Sequence, residues 1–410
     1  MKTAAVISIG NELLTGETVD TNAPWLCAEL RACGIPAVSV TAVGDDESAI
    51  IAALQHAADR ADVLILTGGL GPTGDDLTRS ALAAFLGSKL EFHQPLLDHI
   101  AAFFASRNLQ MPDTNRLQAY LPAGTTPIPN ETGTAPGILA EHRGKLIACL
   151  PGVPSEMKQM FVDHLKPHCK SLAADQHLVT RKLMCCGLGE SAIAQMLGPR
   201  MDRSRNPLVN TTASAGIVTI YVVASAPDRS TAEQLADAET AAVRDTLGPA
   251  VYGRDDQTLA EVVGQMLAER GKTLAIAESC TGGLIAKLIT DVPGSSRYFK
   301  CGWVTYANEA KIRDLNVPPQ TIEQHGAVSE PVALAMARGA KARAAADYAI
   351  ATTGIAGPTG GTSEKPVGLV YIALDTPGGP SCRRLLFPTS RRNMRLRTAL
   401  AALDMLRLEL

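Results

Sequence analysis

Val63-Leu64-Ile65-Leu66-Thr67-Gly68-Gly69-Leu70-Gly71-Pro72-Thr73-Gly74-Asp75-Asp76-Leu77-Thr78 passes from an apolar, strand-like run through a glycine loop into a helical pattern. Residues 69–74 match G-x-G-x-x-G between a strand and a helix, a match that alone is not diagnostic. Asp75 and Asp76 stand where a helix N-terminus would meet a diphosphate, and two carboxylates there would repel it. A bridging divalent cation of the Mg²⁺ type removes the conflict. The loop lacks the Gly-Lys-Ser/Thr of an ATPase phosphate loop, yet its backbone N–H groups can cradle phosphate oxygens. The plain alternative is a tight turn in which Asp76 caps the helix from Leu77.

Outward from this loop the pattern repeats. Ala4–Ile9 and Ala37–Val43 read as strands. The segments 22–33, 47–60, 77–86, 95–108 and 155–164 have helical spacing, with Thr21 or Asn22 as N-cap of the first. Residues 137–141 and 145–150 read as a hairpin around His142-Arg143-Gly144. Strands alternating with helices imply an α/β fold: a doubly wound, mostly parallel sheet with an antiparallel edge. Gly10-Asn11-Glu12, Asp20-Thr21-Asn22 and the turn Leu150-Pro151-Gly152-Val153-Pro154-Ser155-Glu156-Met157 then share the carboxyl edge with the glycine loop, where ligands of such sheets bind.

The whole chain has 410 residues, enough for two to three domains at roughly 150 residues each. With 46% hydrophobic and 19% charged residues, wholesale disorder is excluded. The net charge, 38 − 41 = −3, argues against a globally basic polymer binder. No apolar run is long enough to span a bilayer, and Ala4–Ile9 reads as a strand rather than a signal core, so no membrane association and a cytoplasmic location are expected. Nine scattered cysteines without a C-x-x-C pair read as reduced thiols. His164 and His168 near Cys169 find no second ligand pair for a metal.

Three units follow: 1–169, a small α+β module over 170–254, and a second α/β domain over 255–410. In the module, 181–186, 209–212 and 216–224 read as strands, 230–247 as a helix, and Gly253-Arg254-Asp255-Asp256 as a polar linker. The module lacks the G-x-x-G loop of a nucleic-acid-binding KH domain, since Gly187-Leu188-Gly189-Glu190 ends in an acid. Arg200, Arg203 and Arg205 form a small basic patch interrupted by Asp202, so nucleic acid is not the expected partner.

In the last domain, strand 274–277 ends in Glu278-Ser279-Cys280-Thr281-Gly282-Gly283 ahead of a helix. A small hydroxyl residue there, followed by two glycines, has the geometry of an exposed nucleophile. The N–H groups of turn and helix start are the expected oxyanion donors. Val304-Thr305-Tyr306-Ala307-Asn308-Glu309-Ala310-Lys311 is the second feature, with a strand ending at Tyr306. His325 is the only histidine of the domain, so a Ser279–Lys311 dyad is favoured over a Ser-His triad, given a lysine pKa lowered by burial or a nearby cation. Cys280 is a rival nucleophile. Gly354-Ile355-Ala356-Gly357-Pro358 could hold a phosphate or ribose through backbone amides. Arg391, Arg392 and Arg395 oppose the dipole of the last helix, so they are either neutralised by an anion such as phosphate or simply solvated.

The segments 10–16, 67–76 and 150–157, with 278–283, 305–311, 326–330 and 354–358, resemble the CinA family over essentially the whole chain. The resemblance implies an N-terminal domain similar to molybdopterin-binding domains and a KH-like middle domain. It further implies a metal-dependent ADP-ribose pyrophosphatase in the first domain, using Mg or Co, with Glu12, Asp20, Asp75 and Asp76 as metal-ligand candidates. Asn11, Asn22, Gly68, Gly69, Gly71, Thr73, Gly74, Gly152 and Pro154 are its candidate substrate contacts. In the last domain it implies a cofactor-free nicotinamide mononucleotide deamidase, with Ser279 as nucleophile, Lys311 as base and Tyr306 assisting. Thr281, Gly282, Gly283, Gly354, Gly357 and Arg391 then face the substrate, Arg391 at its phosphate. A homodimer is expected. A molybdopterin-type binder without hydrolysis and a competence-associated DNA partner are the other readings.

Overall fold

The computed structural model describes residues 2–173 and 177–410. Met1, and residues 174–176 near the expected start of the middle module, lie outside the described residues. Contacts divide the chain into two compact units: one runs to Val179 and takes in Ala224–Gln234, the other comprises Thr180–Val223 and Leu235–Leu410.

The N-terminal strands are β1 (Ala4–Ile9), β2 (Ala37–Val43), β3 (Val63–Thr67), β4 (Leu90–Phe92), β5 (Tyr120–Pro122), β6 (Thr126–Ile128), β7 (Gly137–His142) and β8 (Lys145–Leu150). The main sheet has the order β2-β1-β3-β8-β7-β6. Its first four strands are parallel, and β7 and β6 add an antiparallel edge. The short β4–β5 pair, which lacks any alternating pattern, was not expected from the sequence. Strand β1 feeds two cores: Ala4 and Val6 face helices Asn22–Ala32 and Pro154–Met160, while Ala5, Ile7 and Ile9 face helices Glu47–Arg60 and Thr78–Leu86. This two-sided burial is why the strand is apolar at every position but Ser8. Arg143 (φ 50°) and Gly144 (φ 75°) supply the two left-handed residues that a tight hairpin turn needs. The helix expected over 155–164 continues to Leu172 through a π-helical stretch, Phe161–Leu165, and Pro167 lies at the start of the resumed α-helix, where its missing N–H costs little.

Strands β9 (His177–Cys186), β10 (Leu208–Ser214), β11 (Ile217–Ala226) and β12 (Val251–Arg254) form a second sheet, ordered β10-β11-β9-β12. Helix Glu190–Leu197, absent from the sequence reading, buries Ile193 and Leu197 against it, and helix Arg229–Leu247 adds Val243 and Leu247. Gly253-Arg254-Asp255-Asp256 is not a linker. Gly253 and Arg254 pair with Met184 and Leu183 of β9, and Asp256 forms an ion pair with Lys182 at 2.8 Å.

The last domain holds β13 (Leu274–Glu278), β14 (Phe299–Val304), β15 (Tyr348–Gly354), β16 (Leu369–Thr376) and β17 (Gly379–Leu386) in the order β14-β13-β15-β16-β17. The first three are parallel and the last two antiparallel. Leu274 and Ile276 of β13 pack toward helices Leu259–Glu269 and Arg391–Glu409, while Ala275 and Ala277 pack toward Glu330–Ala344. A helix at Pro319–His325 had no periodic signal in the sequence. No helix among the described residues is long and apolar enough to cross a membrane.

Candidate functional site

At the carboxyl end of β13 the chain turns through Ser279–Gly283 into helix Leu284–Thr290. Gly282 (φ 59°) and Gly283 (φ 89°) both take the left-handed conformation, which explains the glycine pair after Ser279. Glu278 is buried, and its carboxylate accepts from the N–H groups of Ile285 (3.1 Å) and Ala286 (2.9 Å). The expected oxyanion role of the helix start is therefore corrected, because those donors are spent on Glu278. Gly282 N–H returns to the Ser279 carbonyl at 3.1 Å, and Leu284 N–H to the Thr281 carbonyl at 3.3 Å.

Lys311 lies one turn into helix Asn308–Leu315 and is 1% exposed. Its Nζ donates to the carbonyls of Thr305 (2.8 Å) and Tyr306 (3.2 Å) and sits 3.2 Å from Ser279 Oγ. Burial pushes the Lys311 ammonium below the ordinary lysine range, with Cys280 and Glu309 pulling the other way. Two carbonyls fix Nζ beside the Ser279 hydroxyl, and no carboxylate bonded to Nζ among the described residues offsets the burial of the ammonium, which is the circumstance in which a lysine amine can serve as a base.

Cys280 turns away from this pair. It is 4% exposed, packs in the apolar core with Leu259, Ile276 and Ile285, and burial pushes its thiol up to about 12. Thiols in apolar surroundings with a raised pKa are poor nucleophiles, which weighs against Cys280 as the rival of Ser279. Thr281 is fully buried and its hydroxyl pairs with that of Thr352 at 2.8 Å, so its side chain braces the turn.

Strand β14 stops at Val304, two residues short of the expected end at Tyr306. Tyr306 is 58% exposed, and its hydroxyl accepts from Arg391 at 2.8 Å. Arg391 also donates to the Gly357 carbonyl at 2.9 Å. Arg395 makes two bonds to the Thr281 carbonyl, 3.1 and 2.7 Å. Two of the three arginines at the helix start thus bond protein oxygens of the loops around Ser279, Arg395 half-buried and Arg391 still exposed. Gly354 ends β15 beneath the Gly357 loop.

At the carboxyl edge of the N-terminal sheet a cavity of about 420 Å³ is lined by Glu12, Gly68, Gly69, Gly71, Asp75, Asp76 and Gly152. A smaller one of about 110 Å³, lined by Asp20, Asn22, Thr67 and Pro154, shares Ile9, Glu12 and Gly152 with it. A side chain on Gly68 (φ 105°) would run into the Ile9 carbonyl, and one on Gly69 (φ 65°) into Thr78 Oγ1. Gly68 is therefore dictated by close backbone approach, and Gly69 by its left-handed φ and the Thr78 hydroxyl against it.

Asp76 does not cap the following helix. Its carboxylate folds back to accept from Gly71 N–H (2.7 Å), Thr73 N–H (2.8 Å) and Thr73 hydroxyl (2.6 Å), and the helix begins at Thr78 with no side-chain cap. Asp20 is similarly engaged by Ser8 hydroxyl (2.6 Å) and the N–H groups of Asn22 and Ala23 (both 3.0 Å), so Asp20, rather than Thr21 or Asn22, supplies the cap of that helix. Asn22 ties Thr67 (3.0 Å) to the Gly152 carbonyl (2.8 Å). Asn11 is exposed and exchanges backbone–side-chain bonds with Asp45. Thr73 and Gly74 are exposed on the loop. Among the described residues no group of three His, Cys, Asp or Glu side chains converges as a metal cage. Glu12 and Asp75 nevertheless face one cavity, and Mg²⁺-type ions commonly use one or two carboxylates with substrate phosphates completing the set. The residues are compatible with that mode and not with an all-protein cage.

The sequence reading missed Arg79, which is 6% exposed and donates to the carbonyls of Leu70 (2.6 Å) and Gly71 (2.7 Å), pinning the glycine loop from below. Asp45, Gln118 and Glu156 also line the larger cavity. Asp45 follows β2 as Glu12 follows β1, so the carboxyl-edge rule could have found it. In the middle module Arg200 (2.9 Å) and Arg205 (3.3 Å) both bind Glu239, and Arg203 bonds Asn210.

Comparison with known proteins gives three family matches. These are a probable molybdopterin binding domain over residues 5–171, a damage-inducible protein CinA KH domain over 180–253, and a CinA C-terminal domain over 256–410. A putative competence-damage inducible protein of Alkaliphilus metalliredigens is 44% identical over 407 residues, 99% of each chain. One from Symbiobacterium thermophilum is 43% identical over 416 residues, 98% of each. The crystal structure of the competence/damage inducible protein CihA from Agrobacterium tumefaciens is 44% identical, covering 36% of this chain and 91% of that one, with a TM-score of 0.36.

Proposed function

The chain belongs to the CinA family, with a molybdopterin-binding-like domain, a KH-like domain and a CinA C-terminal domain in that order, and from this premise we propose that it is a bifunctional hydrolase of pyridine nucleotides. Its C-terminal domain deamidates nicotinamide mononucleotide. The observation that carries this reading is the buried Lys311 Nζ, 3.2 Å from Ser279 Oγ and fixed there by two backbone carbonyls.

Neutral Lys311 accepts the Ser279 proton as Oγ attacks the carboxamide carbon. The tetrahedral oxyanion draws on the turn N–H groups of Cys280, Thr281 and Gly283, since those of Gly282, Leu284, Ile285 and Ala286 are committed elsewhere. Lys311 returns the proton to the departing nitrogen, and ammonia leaves. Water, deprotonated by the same amine, then cleaves the acyl-enzyme to nicotinate mononucleotide and regenerates Ser279. The Tyr306 hydroxyl and Arg391 stand together at the rim, where Arg391 receives the substrate phosphate.

The N-terminal domain, on the same reading, hydrolyses ADP-ribose to AMP and ribose 5-phosphate. A divalent cation, when bound, would offset the diphosphate charge, and Glu12 and Asp75, which both line the cavity, are the residues that would hold it. The glycine-loop backbone positions the diphosphate. The chain is also proposed to act as a homodimer, which sedimentation checks.

Ammonia release from nicotinamide mononucleotide by wild type, Ser279→Ala and Lys311→Ala tests the first half. Full activity in Ser279→Ala would sink the mechanism. AMP release from ADP-ribose with and without Mg²⁺ or Co²⁺, in wild type and Asp75→Ala, tests the second. Absence of metal-dependent AMP in wild type favours the alternative suggested by the N-terminal match, a molybdopterin-type binding domain without hydrolysis.

A further inference from the structure

A cavity of about 450 Å³ opens between the KH-like module and the last helix, away from the nucleophile turn. That volume is in the range of small-ligand sites. Its apolar wall is Ile217, Leu385, Phe387, Leu400 and Met405. Its charges are unequal in status. Asp404 is held by Arg407 at 2.7 Å, and Glu190 accepts from Thr211 at 2.9 Å, so both carboxylates are engaged. Arg383 and Arg397 line the same cavity, are exposed, and their guanidinium groups make no hydrogen bond or ion pair among the described residues. A cavity with an apolar wall and two unpartnered guanidinium groups suits an apolar ring system carrying a single anionic group, because each arginine can offer a two-pronged donor to phosphate. Gly216 (φ 95°) lies alongside Arg397, which a Cβ there would meet at an ordinary van der Waals distance of 3.5 Å.

We propose that this cavity is a second ligand site, distinct from both candidate active sites, for a small amphipathic anion whose ring lies on Phe387 and Leu400 and whose phosphate meets Arg383 and Arg397. The same helix carries Arg391 and Arg395 at its start and Arg397, Leu400 and Met405 at the cavity, so the site is built on the element that clamps the Ser279 turn.

The test is calorimetric titration of the full chain with three probes: AMP (ring and phosphate), adenosine (ring alone) and ribose 5-phosphate (phosphate alone). AMP is expected to bind at least tenfold more tightly than either truncated probe. Arg383→Ala/Arg397→Ala, with both positions on the surface, is expected to lower AMP affinity at this site about tenfold or more, the loss for removing charge-assisted bonds. Ala213→Trp, which fills the cavity from an exposed strand position, is expected to do the same without touching the arginines. AMP affinity within threefold of wild type in both variants, or ribose 5-phosphate binding as tightly as AMP, overturns the proposal. AMP held by the N-terminal cavity persists in both variants, so the site is read as the AMP binding that wild type has and both variants lose; no such difference overturns the proposal whether or not ADP-ribose is hydrolysed.

Discussion

Replacing Lys311 by Met keeps a similar length and apolar stem but removes the amine, and it separates two consequences of burial. The first is catalytic. Removing a positioned base typically costs about 10²- to 10⁴-fold, so ammonia release should fall by at least about 100-fold. The second is thermodynamic and follows from the direction of the pKa. Lys311 is pushed below the ordinary lysine value of 10.5 in the folded chain, chiefly by burial. Below the folded value, both folded and unfolded states carry the proton, and the folded state bears the full penalty of a buried ammonium. Above the folded value the native amine is neutral while the unfolded lysine is still charged. The unfolded state then binds more protons, and stability rises with pH until 10.5. The slope inside that window is at most about 1.4 kcal/mol per pH unit. The Lys311→Met variant has no such slope. Its lost bonds to Thr305 and Tyr306 shift its stability by a constant, which does not affect the comparison. Denaturant unfolding of both proteins at several pH values should therefore show wild type gaining on the variant as pH rises toward 10.5. The wild-type rate should climb with pH along the same limb and level off below the ordinary lysine range. A stability difference flat in pH, or a variant keeping more than a tenth of the activity, refutes a depressed Lys311 as the base.

Cys280→Ala should keep ammonia release within about threefold, since the thiol is a core group, while losing about 1–2 kcal/mol in thermal unfolding for the small cavity. In native wild type at pH 8, mass spectrometry after iodoacetamide should find Cys280 unmodified. Arg79→Leu leaves the Leu70 and Gly71 carbonyls without their donor and should destabilise the chain by about 2–4 kcal/mol, with ADP-ribose hydrolysis falling more than deamidation. Gly68→Ala forces a left-handed alanine against the Ile9 carbonyl, and should cost at least about 2 kcal/mol in denaturant titration.

Much of this fold was legible because its informative strands are buried on both faces. Val63–Thr67 and Leu274–Glu278 are buried along their whole length, and each runs into a turn that carries paired glycines. The elements that escaped lack such a signature. β4 and β5 have three residues each, and helix Pro319–His325 buries no residue of its own, so neither leaves a periodic pattern. Gly253-Arg254 reads as a linker because its pairing partner, β9, lies about seventy residues earlier and local composition carries no trace of it. In the sites, the pairing of Ser279 with Lys311 could be inferred from residue type, but the use of the helix-start N–H groups by Glu278 could not. That depends on a buried carboxylate reaching donors seven and eight residues further along the chain. Asp76 shows the same limit: an aspartate before a helix is a natural cap, yet here the tight glycine loop offers it nearer donors.

The doubly bonded Arg391 has a consequence for selectivity. Its guanidinium is not idle, because it already holds the Tyr306 hydroxyl and the Gly357 carbonyl. Those two bonds take one N–H on each terminal nitrogen and leave the rest of the guanidinium fork available. On the proposed reading, a phosphate would meet an arginine whose side-chain freedom is already spent in folding rather than in binding. Discrimination between a mononucleotide and its dephosphorylated nucleoside should therefore be larger than a freely moving arginine would give, with the rim still tethered when the anion docks.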